Sequence, residues 1–142
     1  MKTLFPVTLT ESLTEARDFY VALFGFEVLV EISWYVHLHL PANEGMQIAF
    51  VQASHSSVPD AFRGSPAGVA ITLEFDDVDV LFARATTMGL PIHVGLRDEE
   101  WGQRHFITQD PTGLMVDVAQ PIAPSHRFLV ENGLLDVAGS DS

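Results

Sequence analysis

The sequence predicts an α+β domain built from two tandem βαβββ units, whose strands form curved mixed sheets around a cup. Three observations support this prediction. Two segments show the apolar spacing of a helix, and a glycine closes each of them, at Gly25 and Gly89. Each segment is preceded by one β-rich run and followed by three such runs. The two sets lie about 65 residues apart.

The first unit is predicted to span residues 3–53. Residues 3–9 are rich in β-branched side chains, and Pro6, which has no N–H for a ladder, places this strand at an edge or a bulge. Ser12 opens a capping box with the acid three residues later, so a helix is expected over residues 12–24. Three further strands are expected over residues 26–32, 34–40 and 46–53.

The second unit is predicted to span residues 68–120 after a Ser- and Pro-rich linker over residues 54–67, so that residues 1–120 form one domain. Asp77 is expected to cap its helix. Outside the repeat, residues 121–142 are expected to contain a short helix around residues 127–135 and a frayed end. The strands of the second unit are expected over residues 68–75, 91–96, 102–108 and 114–119.

The composition excludes several classes of function. With 7 Lys and Arg against 19 Asp and Glu, the net charge is −12, so neither nucleic acid nor an anionic membrane is an expected partner. The absence of Cys excludes disulfides, thiolate zinc sites, iron–sulfur clusters and a cysteine nucleophile. No apolar run approaches the about 18 residues that span a bilayer, and no signal segment is recognised, so a cytoplasmic protein is expected.

The alternation of side chains divides each strand between a face that covers the helix and a smaller, partly polar face. We expect the second faces to line a cup that accepts a small molecule. No Gly-x-Ser-x-Gly motif and no phosphate-binding glycine loop accompany this face. The strand residues assigned to the lining are Ala49, Ala70, Thr72, Glu74, Met115 and Asp117.

Four segments carry a family resemblance, namely residues 16–28, 73–79, 101–106 and 110–117. The first contains Phe-Tyr-Val-Ala-Leu-Phe-Gly-Phe, and the last reads Asp-Pro-Thr-Gly-Leu-Met-Val-Asp. In this order they resemble the vicinal oxygen chelate superfamily, which includes glyoxalase I, extradiol dioxygenases, and the bleomycin and fosfomycin resistance proteins. The resemblance covers residues 3–120 and implies the glyoxalase/bleomycin resistance fold.

The resemblance also implies where metal ligands would lie, on the first, fourth, fifth and eighth strands. Only one of the four residues there, Asp117, can ligate a metal, so no metal and no cofactor are expected. The alternative is a displaced site in which His37 and His39 supply two imidazoles and Glu27 or Glu31 supplies a carboxylate. The residues at the four implied positions are Phe5, Ala49, Ala70 and Asp117.

Other candidate site residues have two open interpretations. Glu74 and Asp117 either share a proton, so that one becomes a general base, or attract a cation. Arg104 either fixes a ligand carboxylate or pairs with a neighbouring acid. A hairpin centred near Glu99 would place His93 opposite His105. Flat apolar walls for a planar or cationic ligand are expected from Phe5, Trp34, Tyr35 and Trp101, with His37 and His39 on the same strand face as Tyr35.

These observations favour a metal-independent binding protein of the bleomycin-resistance type, which sequesters an aromatic or cationic small molecule in the cup. The alternative is a lyase, isomerase or dioxygenase of the same superfamily, using the displaced metal site or acid–base chemistry by Asp117 with His105. The resemblance further implies a homodimer in which units from two chains complete one cup.

Overall fold

The chain folds into two compact units that each contain a four-stranded mixed sheet and one long helix. The computed structural model describes residues 1–134, apart from the side chain of Glu44. The first unit comprises Met1–Ala70 and Gln109–Met115, and the second comprises Ile71–Thr108 and the described residues from Val116 onward. The predicted α+β class and the repeated βαβββ order are confirmed.

The first unit has its strands in the order β1-β4-β3-β2, with β1 parallel to β4 and the other pairs antiparallel. A 3₁₀ helix lies in the stretch that was predicted to be a linker, where the Ser and Pro composition obscures it. The elements are β1 (Val7–Thr10), α1 (Leu13–Phe24), β2 (Glu27–Ile32), β3 (Tyr35–Leu40), β4 (Asn43–Gln52) and the 3₁₀ helix (Asp60–Phe62).

The second unit repeats this order as β5-β8-β7-β6. Its elements are β5 (Ala70–Glu74), α2 (Val78–Thr87), β6 (Ile92–Glu99), β7 (Gln103–Gln109), β8 (Met115–Pro121) and α3 (His126–Glu131). The hydroxyl of Ser125 caps α3 by accepting the Phe128 N–H at 3.0 Å. The last predicted residue of this helix and the predicted frayed end lie outside the described residues. No described helix has the length and hydropathy of a membrane-spanning segment.

The N-termini of α1 and α2 differ from the sequence prediction. The side chain of Ser12 makes no capping hydrogen bond, and its own N–H donates to Thr10 Oγ1 at 2.9 Å. The side chain of Asp77 makes none either, and the first N–H of α2, that of Val78, donates to Gln120 Oε1 at 3.1 Å. A capping signal is local, whereas the acceptor at α2 comes from a strand that only tertiary folding brings near.

The first strand also begins later than predicted. β1 starts at Val7 rather than at residue 3, because Pro6 offers only its carbonyl, which accepts the Ala49 N–H at 3.0 Å. β1 lies at the edge of the sheet, one of the two positions that Pro6 predicts. Both predicted glycine closures are confirmed, since Gly25 (φ +78°) and Gly89 (φ +70°) adopt the left-handed conformation.

The hairpin between β6 and β7 is centred on Trp101 rather than near Glu99. His105 pairs with Arg97, so the expected placement opposite His93 is wrong. Two register irregularities in β6 shift the pairing along the strand. Gly102, with φ +102°, follows directly and lets the chain reverse at this later point.

The predicted alternation in the first sheet is confirmed. On one face, four apolar side chains are almost completely buried beneath α1, and the ring of Tyr20 lies 5.4 Å from that of Phe50. Each such burial contributes about 1.5–3 kcal/mol. The opposite face of the same strands carries Tyr35, His37 and Ala49 and is therefore available for another role. The buried set on the helix side is Val36, Leu38, Ile48 and Phe50.

Asp110 fastens the turn before β8 to α1. Its Oδ2 accepts the Tyr20 hydroxyl at 2.7 Å, and its Oδ1 accepts the hydroxyl and N–H of Thr112 and the N–H of Leu114. Asp110 is 3% exposed, so these donors replace water completely. Burial and the neighbouring Asp110 charge raise the pKa of Tyr20, which keeps the phenol protonated as a donor.

Replacing Tyr20 by Phe is expected to lower the free energy of unfolding by about 1–3 kcal/mol, because the ring stays packed while a buried carboxylate loses a donor. Urea denaturation measures the change. Thr14→Ala, on the exposed side of the same helix, should stay within about 0.5 kcal/mol of wild type. Equal stabilities for wild type and the Tyr20 variant would contradict this role for Asp110.

Candidate functional site

An open cavity of about 380 Å³ lies in the first unit, against the sheet face opposite α1. This volume falls within the usual range for small-molecule sites. Side chains come from strands β1, β3 and β4, from Trp34 in the turn between β2 and β3, and from the segment after β4. No lining side chain is charged. The lining residues are Val7, Leu9, Trp34, Tyr35, Val51, Ser57, Val58, Pro59 and Phe62.

The segment after β4 is held in place by aromatic stacking and hydrogen bonds. The imidazole of His55 stacks on the indole of Trp34, with centroids 3.8 Å apart and planes inclined by 5°. The carbonyl of His55 accepts the Val58 N–H at 3.0 Å and the Arg63 guanidinium at 3.2 Å. Arg63 also forms an ion pair with Asp60. These contacts turn a Ser- and Pro-rich stretch into one wall of the cavity.

A chain of polar side chains runs along the sheet beside the cavity. The Tyr35 hydroxyl lies 2.9 Å from His37 Nδ1, and His37 Nε2 lies 2.8 Å from Gln47 Oε1. The ring of Phe5 packs edge-on against His37 at 4.5 Å. His37 is 9% exposed, so both ring nitrogens exchange water for protein partners. Burial raises the pKa of Tyr35, which keeps its hydroxyl protonated at neutral pH.

The second unit contains a different histidine cluster. His105 Nδ1 lies 2.8 Å from Asp117 Oδ1, and its Nε2 lies 2.8 Å from Glu99 Oε2. The side chains of all three residues are 14% exposed or less. Trp101 lies edge-on to the imidazole at 6.1 Å, and Arg97 donates to Glu99 at 2.7 Å.

The hydrogen bonds of this cluster favour the charged forms of His105 and Glu99. Burial alone lowers the pKa of His105, but the hydrogen bonds to Glu99 and Asp117 outweigh it, and the pKa is raised. The hydrogen bonds from His105 and Arg97 lower the pKa of Glu99. The arrangement therefore favours an imidazolium held between two carboxylates.

The first unit brings together five of the predicted site residues on one sheet face. Tyr35 and Trp34 line the cavity, while Phe5 and His37 lie beside it. Ala49 is completely buried opposite His37 in the β3–β4 pairing. His39, on the same strand, is half-buried and pairs with Gln47 rather than joining the cavity wall.

The predicted residues on β5, β7 and β8 and in the turn between β6 and β7 are more dispersed, and the structure places several of them in solvent. Trp101 is 50% exposed, and Met115 is 43% exposed. Arg104 donates to Asp79 at 2.8 Å and to Asp98 at 2.9 Å, so its guanidinium is engaged by two acids. The exposed residues of β5 are Ala70, Thr72 and Glu74.

The residues present do not fit the metal site that the fold implies. Phe5, Ala49 and Ala70 offer no donor atom at three of the four positions, and the Asp117 carboxylate is bonded to His105.

The side chains proposed for the displaced metal site at His37 and His39 do not fit an ion either. Both ring nitrogens of His37 are engaged, and Glu31 pairs with Arg17 at 2.7 Å. Among the side chains described in residues 1–134, which leave out Glu44, no three of His, Asp or Glu are placed to hold an ion.

Sequence reasoning missed the wall after β4 and the second partner of His105. Ser57, Val58 and Phe62 lie in the stretch interpreted as a linker, although the large apolar side chains of Val58 and Phe62 were a usable signal. Glu99 was assigned to a turn, yet β6 extends through it. If the predicted strand had extended through residue 99, the Glu99 side chain would have been placed on the sheet beside His105.

The duplicated βαβββ unit defines a class of proteins by its fold. Proteins that share one fold can carry out different chemistries. The family model for the Glyoxalase/Bleomycin resistance protein/Dioxygenase superfamily matches residues 7–118. The chain belongs to this superfamily, as its four sequence segments indicate.

Curated relatives match only part of the chain. An uncharacterized protein of Mycobacterium bovis, Mb0911c, and one of Mycobacterium tuberculosis H37Rv, Rv0887c, are each 36% identical over 67 residues. The match covers 47% of this chain, 43% of the first relative and 38% of the second. The chain therefore matches less than half the length of these relatives.

Solved structures share the fold at low identity. A glyoxalase/bleomycin resistance protein/dioxygenase from Nocardioides is 19% identical with a TM-score of 0.69, covering 88% of this chain and 85% of its own. Lactoylglutathione lyase from Agrobacterium tumefaciens is 19% identical with a TM-score of 0.67, covering 84% and 94%. TnmS3, an antibiotic binding protein from Streptomyces sp. CB03234, is 22% identical with a TM-score of 0.66, covering 85% and 96%.

The His105 cluster predicts a specific dependence of stability on pH. Because the folded state raises the pKa of His105 above its ordinary value of 6.5, the stabilisation is complete below about pH 6.5 and is lost as pH rises through the raised pKa. The lowered pKa of Glu99 acts oppositely, since its contribution is complete above its ordinary value of 4.5 and is lost in stronger acid.

Urea denaturation between about pH 6 and pH 9 should therefore show a steeper loss of unfolding free energy in wild type than in His105→Gln. Thr14→Ala, which removes no titratable group, should keep the wild-type slope. Parallel pH profiles for wild type and the His105 variant would refute the imidazolium assignment.

Proposed function

We propose that the protein is a metal-independent binding protein that sequesters a planar aromatic small molecule in the cavity of the first unit. The observation that carries this proposal is the lining, in which Trp34, Tyr35 and Phe62 supply aromatic rings and aliphatic side chains supply most of the rest. Aromatic pairs contribute about 0.5–1.5 kcal/mol beyond area burial. The stacked His55 supports the Trp34 indole from one side, which reduces the ordering required on binding.

The charges around the cavity favour a neutral aromatic ligand over a cationic one. A buried cation needs a paired anion, and no carboxylate lines this cavity. Of the two acids that the sequence offered for this purpose, Glu74 is exposed on β5, and Asp117 is bonded to His105. The net charge of −12 assists the long-range encounter with a cation but does not compensate for its desolvation.

The fold alone does not choose between binding and catalysis, because one structural neighbour is an antibiotic binding protein and another is a lyase. The choice rests on the site. The described cavity has an apolar lining and no charged side chain, which suits retention of a ligand better than charge development in a transition state. We propose an aromatic antibiotic as one ligand class to test.

Changing the cavity wall should weaken ligand binding. Val7→Trp places an indole at the cavity rim, and Trp34→Ala removes a wall, so each should weaken binding of naphthalene by about tenfold or more in isothermal titration calorimetry. Ile92→Trp is the matched control, since Ile92 is a similarly exposed strand residue in β6, outside the cavity. The wild-type isotherm should be the same with and without EDTA.

Two results would contradict this proposal. One is equal weakening by Val7→Trp and Ile92→Trp, which would place binding elsewhere. The other is tighter binding of a naphthylmethylammonium cation than of naphthalene, which would show that the surrounding acids, rather than the apolar lining, select the ligand.

A second candidate function is acid–base catalysis of the lyase or isomerase type in the second unit, favoured by the contact between His105 and Asp117. Both imidazole nitrogens already face carboxylates, so the ring is held as an acid rather than as a free base. Catalysis would appear as formation of S-lactoylglutathione, or turnover of another test substrate, that His105→Gln abolishes. The binding proposal expects no such turnover by either protein.

We also propose that the protein is a cytoplasmic homodimer. In support, β2 is an edge strand in which all six residues are exposed, including four aliphatic ones. Sedimentation velocity should give a dimer, and Leu29→Lys should shift it toward monomer, whereas Val80→Lys on α2 should not. A monomeric wild type at all accessible concentrations would overturn this proposal. The exposed aliphatic residues are Val28, Leu29, Val30 and Ile32.

A further inference from the structure

We infer that the cavity selects aromatic molecules that carry a hydrogen-bond donor, such as a phenol or an aryl N–H, because its two hydroxyl groups have already given their hydrogens to imidazole rings. This inference rests on the proposed binding function and names the ligand class of the same cavity. Three lining side chains carry a polar atom, namely Trp34, Tyr35 and Ser57.

The tautomer of His37 follows from its second partner. Gln47 Oε1 can only accept, so the hydrogen of the neutral ring lies on Nε2, which donates across 2.8 Å. His37 Nδ1 then carries a lone pair, and the Tyr35 hydroxyl donates to it across 2.9 Å. The phenol oxygen of Tyr35 keeps lone pairs but has no hydrogen left for a ligand.

Ser57 is committed in the same way by His55. The Ser57 backbone N–H donates to His55 Nδ1 at 3.1 Å, which requires a lone pair on that nitrogen. The Ser57 hydroxyl, 2.9 Å from the same nitrogen, is therefore also a donor to it. Its oxygen, like that of Tyr35, can serve a ligand only as an acceptor.

The hydroxyl oxygens of Tyr35 and Ser57 provide hydrogen-bond acceptors in a lining that is otherwise mostly apolar. A ligand N–H or O–H meets a lone pair, whereas a ligand ether oxygen at the same place meets another lone pair and stays unsatisfied. Trp34 is the donor among the lining side chains, and it suits an acceptor elsewhere on the ligand. His37 thus acts as a positioning residue, because it sets the hydrogen-bonding direction of Tyr35 without lining the cavity.

Calorimetry with three matched probes separates this inference from the binding proposal. Naphthalene reports on the apolar cavity alone, while 2-naphthol and 2-methoxynaphthalene report on the direction of the hydrogen bond. Wild type should bind 2-naphthol about three- to tenfold more tightly than 2-methoxynaphthalene, which is the effect of one neutral hydrogen bond. Tyr35→Phe should reduce this ratio toward one, because it removes the acceptor oxygen and keeps the ring.

His37→Phe tests the positioning role, because it frees the Tyr35 hydroxyl to donate. The preference should then fall or reverse in favour of 2-methoxynaphthalene, whereas a merely structural defect would weaken all three probes together. In the wild-type spectrum, long-range ¹H–¹⁵N correlations should show His37 and His55 as Nε2–H tautomers.

The outcomes distinguish the two proposals. If naphthalene fails to bind, the proposed function fails. If all three probes bind with equal affinity to wild type, the cavity binds aromatics but the inference about donors is wrong. A wild-type preference that Tyr35→Phe and Ser57→Ala both leave intact, or an Nδ1–H tautomer at His37, would likewise overturn it.

Discussion

The packing of α1 against one face of the first sheet is the constraint on which the rest of that unit depends. Side chains alternate along each strand, so burial of the helix-facing set commits every second residue to the opposite face. That face also needs cover, because Ala49 and Val51 lie on it and are both buried. The segment after β4, fastened by the stack of His55 on Trp34, supplies this cover incompletely and leaves the cavity.

The buried polar side chains of the described residues already have hydrogen-bond partners within the protein. Within residues 1–134, no buried side-chain nitrogen or oxygen lacks a hydrogen-bond partner. Around the cavity, the hydroxyl groups of Tyr35 and Ser57 each face an imidazole nitrogen, so each of these hydrogen bonds has a defined direction. An apolar site can therefore retain selectivity without a charge, because committed hydroxyl groups still present lone pairs.

The two units use one position of the repeat in different ways. His37 and His105 are 68 residues apart, the same spacing as Ala49 and Asp117. Beside His37 the strand offers Ala49, and the ring contacts Tyr35 and Gln47 in a hydrogen-bonded chain. Beside His105 it offers Asp117, and with Glu99 the result is a charged cluster. The carboxylates of Asp117 and Glu99 thus distinguish the charged cluster of the second unit from the hydrogen-bonded chain of the first.

The sequence by itself determined the two sheets, their helices and the sheet face available for a site, because periodicity and glycine closures are local signals that burial must obey. Only the tertiary structure decided the helix caps, the cavity wall and the partners of the histidines. Asp110 illustrates the reason, since its four donors come partly from a helix 90 residues away in the chain. Likewise Val58 and Phe62 line a cavity only once His55 meets Trp34, and no local pattern encodes that contact.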